Sequence, residues 1–174
     1  GGGYGNCAGW NAAVAGGYNN KAGGNAGAVA GGYGNCAGYM SFVGGGQYNT
    51  ASGTYASVLG GSSNNASGSG SLIVANNSKT DGEKSLALGY KACTRNRDGS
   101  IAMGAHFNTD VNIGKLQSSI MHLRASTTDA TQTVLTSRQA ACSASTDNQL
   151  TIPTNAAYVF CGSVIANVTS GGDT

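Results

Sequence analysis

Asn20-Lys21-Ala22-Gly23-Gly24-Asn25-Ala26-Gly27-Ala28-Val29-Ala30-Gly31-Gly32-Tyr33 reads as one turn of a coil, and the residues after it repeat the pattern. Asn35-Cys36-Ala37-Gly38 answers Asn20-Lys21-Ala22-Gly23, and Phe42-Val43-Gly44-Gly45-Gly46 answers Ala28-Val29-Ala30-Gly31-Gly32. Working outward, an Asn-x-Ala-(Ser)-Gly motif starts at Asn6, Asn20, Asn35, Asn49 and Asn64, in steps of 14, 15, 14 and 15 residues. A small-apolar-small-Gly-Gly motif keeps the same period at Ala13-Val14-Ala15-Gly16-Gly17 and at Ser57-Val58-Leu59-Gly60-Gly61. It continues in altered form as Ser71-Leu72-Ile73-Val74-Ala75, Ser85-Leu86-Ala87-Leu88-Gly89 and Ser100-Ile101-Ala102-Met103-Gly104. Self-similarity at a fixed short period marks a repeat architecture.

So short a unit has no room for a strand, a helix and a second strand. It does hold two short strands and two turns, with the glycines where the chain must bend tightly. The expected fold is all-β: a parallel β-roll or solenoid of 14–15-residue coils over residues 1–107, each coil adding one strand spacing. Alternation in Ser85-Leu86-Ala87-Leu88 and Ser100-Ile101-Ala102-Met103 has the strand period of two. The expected core column is Val14, Val29, Val43, Val58, Leu72, Leu86, Leu88, Ile101 and Met103. The recurring asparagines are expected to stack as an inward or turn ladder, each amide bonded to the next coil.

Composition fits such a stack. The 174 residues include 30 glycines and one proline, with 9 % charged residues and a net charge of +2. Gly-rich disorder is the rival reading, and the fixed apolar spacing argues against it. Collagen would need glycine at every third position. From Gly1 to Ser78 the only charged side chain is Lys21. Equivalent positions in stacked coils lie about 4.8 Å apart, so like charges in one column would repel. No basic stripe for nucleic acid is present, and no apolar run approaches the roughly 20 residues of a membrane-spanning helix. The abrupt ends lead to the expectation of a piece of a longer protein.

Cys7, Cys36, Cys93, Cys142 and Cys161 lack CxxC spacing. Cys7 and Cys36 lie two coils apart, roughly 10 Å, beyond the Cα separation of about 7 Å that a disulfide tolerates. They are expected to be small buried thiols. With one or two large apolar residues per coil, a lone chain has a thin core for so much glycine entropy. A closed cyclic oligomer would add the missing burial.

Ser85-Leu86-Ala87-Leu88-Gly89-Tyr90 and Asp98-Gly99-Ser100-Ile101-Ala102-Met103-Gly104 resemble the head repeats of YadA-type trimeric autotransporter adhesins. That resemblance covers roughly Gly1 to Phe107 and implies a left-handed parallel β-roll with three chains to a head. It is looser in the first five coils, where Gly-Gly replaces apolar-x-apolar-Gly. Similar rolls occur in bacteriophage tail fibres.

After Phe107 the period is lost. Residues 108–117 read as a neck, and 118–174 as an antiparallel β-domain with strand-like runs at Ser119 to Arg124, Gln132 to Leu135, Gln149 to Pro153 and Ala156 to Val168. Ser118-Ser119-Ile120-Met121-His122-Leu123-Arg124, Leu150-Thr151-Ile152-Pro153 and Val164-Ile165-Ala166 are similar to a β-domain of bacteriophage structural and tail-fibre proteins. In that family the domain continues past the point where this chain stops. This second resemblance implies a virion fibre, as no membrane anchor or heptad run accompanies it in the sequence.

Tyr4, Tyr18 and Tyr33 follow the glycine pairs, with Tyr48 and Tyr90 near the corresponding places; Trp10 and Tyr39 match two coils apart. These rings either stack on sugars of a receptor, stack on one another, or seal a contact between chains. His106 and His122 have no metal-ligand neighbours in sequence, so no metal and no cofactor is expected. Asp81, Glu83 and Asp98, beside Lys79, Lys84, Arg95 and Arg97, read as a polar rim rather than paired catalytic acids. The Gly-Gly pairs lack the Lys-Ser/Thr of a phosphate loop, and Asn65, Asn76 and Asn167 head chance glycosylation triplets.

The expected function is non-enzymatic: a homotrimeric fibre segment of a phage tail or baseplate, located on the virion. Its expected partners are further copies of itself, other tail or baseplate proteins, and a bacterial surface glycan or protein receptor, without nucleic acid or membrane insertion. An adhesin head on a bacterial cell surface is the alternative. An ice-binding solenoid would call for repeated Thr-x-Thr on one face, and the threonines are scattered.

Overall fold

The computed structural model describes residues 2–105 and 117–120. Over these the chain is an all-β parallel solenoid of about seven coils, each of about 15 residues. Its strands in chain order are β1 (Cys7–Ala8), β2 (Ala13–Val14), β3 (Lys21–Ala22), β4 (Ala28–Val29), β5 (Cys36–Ala37), β6 (Phe42–Val43) and β7 (Thr50–Ala51). There follow β8 (Ser57–Val58), β9 (Asn65–Ala66), β10 (Leu72–Asn76), β11 (Lys79–Thr80), β12 (Leu86–Tyr90), β13 (Ile101–Gly104) and β14 (Gln117–Ile120). The odd strands β1 to β11 form one six-stranded sheet. The other eight form a second, in the order β14-β13-β12-β10-β8-β6-β4-β2.

Each strand pairs in parallel with its counterpart one coil on, for example Cys36 with Thr50 and Val43 with Val58. The exception is β14, which runs antiparallel to β13 with Ile101 opposite Ile120 and Gly104 opposite Gln117. The antiparallel pairing expected after the repeat thus begins on the last coil itself. The remaining strand-like runs of the carboxy-terminal part, and most of the neck, lie outside the described residues.

Between the two sheets the interior is one layer thick. From the six-stranded sheet come Ala22, Ala37, Ala51, Ala66 and Thr80, all fully buried. The other sheet contributes Val29, Val43, Val58, Ile73, Ala87 and Ala102. Val29, Val43 and Val58 are therefore core as expected, and Val14 packs half-buried against them. The rest of the expected column needs correction. Leu72, Leu86, Leu88 and Ile101 are only half-buried and Met103 is exposed, because they point out of the solenoid. The register places Val58 opposite Ile73, Ile73 opposite Ala87 and Ala87 opposite Ala102. An interior sized for one valine per strand has no place for two leucines, so the large residues of the later coils turn outward. Buried Thr80 and Thr94 stand where earlier coils carry alanine, restoring volume beside Ala87.

Polar groups in this interior are paired. Asn20, Asn35, Asn49 and Asn64 are buried and form the expected ladder. Each Oδ1 accepts the backbone N–H of the next rung: Asn35 N from Asn20 at 3.0 Å, Asn49 N from Asn35 at 2.9 Å, Asn64 N from Asn49 at 3.1 Å. Each Nδ2 donates twice, as Asn35 does to the Gly31 and Gly46 carbonyls at 2.9 Å. The glycine pairs serve this ladder. Gly32 has φ +94°, and a Cβ there would run into the Gly46 carbonyl oxygen.

Two other corners of each coil are also left-handed, and most hold residues with side chains. One runs through Asn19, Tyr48, Ser63, Asn77 and Lys91, the other through Asn11, Ala26, Met40, Tyr55 and Lys84. At the far end Gln117 closes the six-stranded sheet. Its Oε1 accepts the Cys93 N–H at 2.7 Å and its Nε2 donates to the Cys93 carbonyl at 2.8 Å, as a further peptide group would.

Candidate functional site

The two corners put the candidate aromatic residues on opposite narrow edges of the solenoid. On the glycine-pair edge, Tyr4, Tyr18 and Tyr33 form successive parallel bridges. Their rings stack at 5.3 and 5.2 Å between centroids, with interplanar angles of 20° and 3°. Gln47 takes the next bridge, and Tyr48, one residue on, meets Tyr33 edge-on at 5.2 Å. The Tyr48 hydroxyl holds that of Tyr33 above its ordinary pKa through a hydrogen bond and repulsion between the two phenolates. Tyr90 stands in the same column four coils beyond Tyr33, after Gln47, Ser62 and Asn76, with Lys91 5.4 Å from its ring centre.

Stacking settles which part of these rings is accessible. Both faces of Tyr18 are covered by tyrosine neighbours, so the ladder offers ring edges and hydroxyls to solvent. Of the readings open at the outset, rings stacking on one another is the one observed for Tyr4, Tyr18 and Tyr33.

Trp10 and Tyr39 lie at the other edge. Trp10, Asn25 and Tyr39 accept through their carbonyls from Ala26, Met40 and Tyr55 respectively, so all six belong to one corner. Trp10 is 78 % exposed, Tyr55 62 % and Tyr39 45 %. Sequence reasoning missed Met40 and Tyr55. The period would have found them, since both sit one residue after the Trp10–Tyr39 column.

A third feature is the outer surface of the eight-stranded sheet. Phe42, Leu72, Leu86 and Ile101 form a column by register, interrupted by Ser57. Beside it Val74, Leu88 and Met103 form a second column, continued at Leu59, which is likewise exposed. The strands β2 to β13 of this sheet contain no charged residue. The outer column of the six-stranded sheet is instead Cys7, Lys21, Cys36, Thr50, Asn65 and Lys79. The thiols are therefore not buried as expected: Cys7 is exposed, and Cys36 and Cys93 are partly so. The reason is alternation, since the inward place beside each is filled by Ala8, Ala37 and Thr94. Partial burial still pushes the Cys93 thiol up.

The chain matches no protein-family model and no curated protein, so fold and surface chemistry carry the functional reading.

Among the described residues no three metal-ligating side chains converge. The acidic residues Asp81 and Asp98 are engaged by backbone N–H groups and neighbouring side chains. Asp81 accepts from Asn96 N at 2.7 Å and Thr94 Oγ1 at 3.1 Å and pairs with Lys79 Nζ at 3.2 Å. Burial alone would raise its pKa, but these three partners together hold it below the usual carboxylate value. Asp98 accepts from Glu83 N at 2.8 Å. His106 and His122 lie outside the described residues.

Proposed function

We propose that this chain is a structural fibre segment of a phage tail or baseplate, working as a homotrimer that holds contact surfaces rigidly against a host cell. One observation carries the reading: a one-layer solenoid whose eight-stranded sheet turns an uncharged, apolar outer face to solvent. Leu59, Leu72, Leu86, Leu88 and Met103 on that face, with Val74 beside them, are mostly larger than the alanines and valines that fill the interior apart from Ile73. Contiguous apolar surface of this kind on a soluble chain marks a contact with another protein. Three copies meeting through it would supply the burial the interior lacks, leaving the polar Lys21–Lys79 face to water.

The likeness of residues 118–174 to phage β-domains is the ground for the virion setting, with other tail or baseplate proteins as neighbours. The Ser85–Gly89 and Ser100–Gly104 repeats support a second reading, the head of a trimeric adhesin on a bacterial surface. Light scattering on the purified chain tests both. Three copies per particle are expected, and Leu72→Glu together with Leu88→Glu should release monomers. A monomeric parent chain sinks the proposal. A parent gene encoding a signal peptide and a carboxy-terminal membrane barrel would move the fibre from virion to cell surface.

A further inference from the structure

We infer that the edge bearing Trp10, Asn11, Asn25, Tyr39, Met40 and Tyr55 is a binding platform for a neutral, extended glycan lying along the solenoid axis. The inference rests on the fibre reading for its purpose, since it supplies the receptor surface that the fibre would present. Its grounds are independent of the apolar sheet face.

The first ground is chemistry. This edge combines ring and thioether surface with two carboxamides and carries no charge through its first four coils; further on it changes to Ser69, Glu83, Lys84 and Asp98. Rings that stack on the C–H faces of sugars, with amides beside them for hydroxyl groups, suit a carbohydrate. None of the platform residues is cationic. The one cation near them, Lys21 with its stem over Gly23, is a single charge, which favours a neutral chain over a polyanion. Asn11 Nδ2 reaches Asn25 Oδ1 at 3.4 Å, so the two amides already sit side by side between coils.

The second ground is accessibility. On the tyrosine ladder the ring faces cover one another, whereas Trp10 and Tyr39 are separated by Asn25 and stand two coils, about 10 Å, apart. That leaves room for a sugar against each ring. In a linear polysaccharide whose alternate units present the same face, every second unit would meet one.

The third ground is strain. Met40 and Tyr55 hold φ of +49° and +59°, a left-handed conformation costly for large side chains. Gly70 and Gly99 fill the same corner in later coils without that cost. Lys84 keeps the same conformation in a later coil, so what sets Met40 and Tyr55 apart is that the strained, exposed side chains are apolar or aromatic and stand beside Tyr39. Three chains in one fibre would present three such edges, turning weak single contacts into useful avidity.

The test is affinity electrophoresis of the whole chain in native gels cast with galactomannan, xyloglucan or dextran, with alginate as the anionic comparison. Retardation is expected in at least one neutral gel and not in alginate. Trp10→Ala or Tyr39→Ala should weaken it by a few-fold to about tenfold, the scale of one lost aromatic stack. Tyr4→Ala, on the opposite edge, should not. Melting followed by circular dichroism checks that each exposed-residue variant is folded. No retardation in any neutral gel, equal retardation in alginate, or undiminished retardation of the Trp10 and Tyr39 variants overturns the inference. Light scattering on the same samples separates the two readings. Trimers without retardation sink the platform alone, and monomers with Trp10-dependent retardation sink the fibre alone.

Discussion

Replacing Asn35 by alanine tests the internal ladder at one of its buried rungs. Its Oδ1 accepts Asn49 N–H at 2.9 Å, and its Nδ2 donates to Gly31 O and Gly46 O, both at 2.9 Å. Gly46 O keeps a second donor, the Tyr33 N–H at 2.9 Å, so its loss is partial. The Asn49 N–H, in contrast, is left facing an apolar gap. A buried orphan donor costs about 1–3 kcal/mol, and each ordinary hydrogen bond lost costs about 0.5–1.5 kcal/mol. The sum for Asn35→Ala is about 2–6 kcal/mol on that scale. Asn6→Ala removes a similar set of bonds at a rung only partly buried, where water can replace the side chain, and should cost about 1 kcal/mol. Asn35→Ser should fall between them. Ser78 already occupies a rung of the ladder, receiving from Ala92 N at 3.0 Å, but a hydroxyl cannot make both amide donations. Urea unfolding at one fixed protein concentration, followed by far-ultraviolet circular dichroism, gives all three numbers. Equal losses for Asn35→Ala and Asn6→Ala would refute the claim that burial makes the ladder structural.

Four further outcomes are expected. Gly32→Ala places a methyl group against the Gly46 carbonyl at a φ of +94°, so it should lower the melting midpoint more than Gly60→Ala, where a Cβ meets open space. Tyr55→Gly should stabilise by about 1 kcal/mol in the same urea assay by relieving a left-handed corner; destabilisation would show that the ring packs usefully. Asp81 has a folded pKa below its unfolded value, so its contribution is present above the ordinary carboxylate pKa, about 3.9, and is lost as pH falls through the lower folded value. Stability of Asp81→Asn should therefore vary less than that of the parent between pH 5 and pH 2, by roughly the lost linkage. With alkylation followed by peptide mass mapping, Cys7 should be modified faster than Cys93, whose thiol is half-buried and raised in pKa; the reverse order would contradict the greater exposure of Cys7.

Much of this fold is legible in the chain because each coil repeats two anchors, asparagine and the glycine pair. The step of 14 and 15 residues fixed which residues stack, and the ladder followed from where the asparagines fell. Facing was harder to read. Once Gly60-Gly61 gives way to Ala75-Asn76 the second anchor is lost, and matching Ser71 to Ser57 slips the strand by one residue. A slip of one exchanges inside for outside, which is why Leu72, Leu86 and Ile101 read as core while Ile73, Ala87 and Ala102 hold it. The clue was size: leucine on both sides of Ala87 cannot enter a layer elsewhere filled by single valines. For the edges, the sequence aligned Trp10 with Tyr39 and Tyr18 with Tyr33. It could not show that one pair has free ring faces and the other does not, because that depends on whether an aromatic or an asparagine occupies the coil between.

A parallel stack has no intrinsic length, since each finished coil offers the next the same row of N–H and C=O groups. That makes it a template for indefinite end-to-end growth, the hazard that natural edge strands are built to avoid. The segment from Gln117 to Ile120 interrupts the template twice. Its reversed direction changes the hydrogen-bond spacing beside β13, and the Gln117 amide occupies the backbone groups of Cys93 on the other sheet. Among the described residues, a further parallel coil on this side would therefore find the row of β13 and the groups of Cys93 already taken.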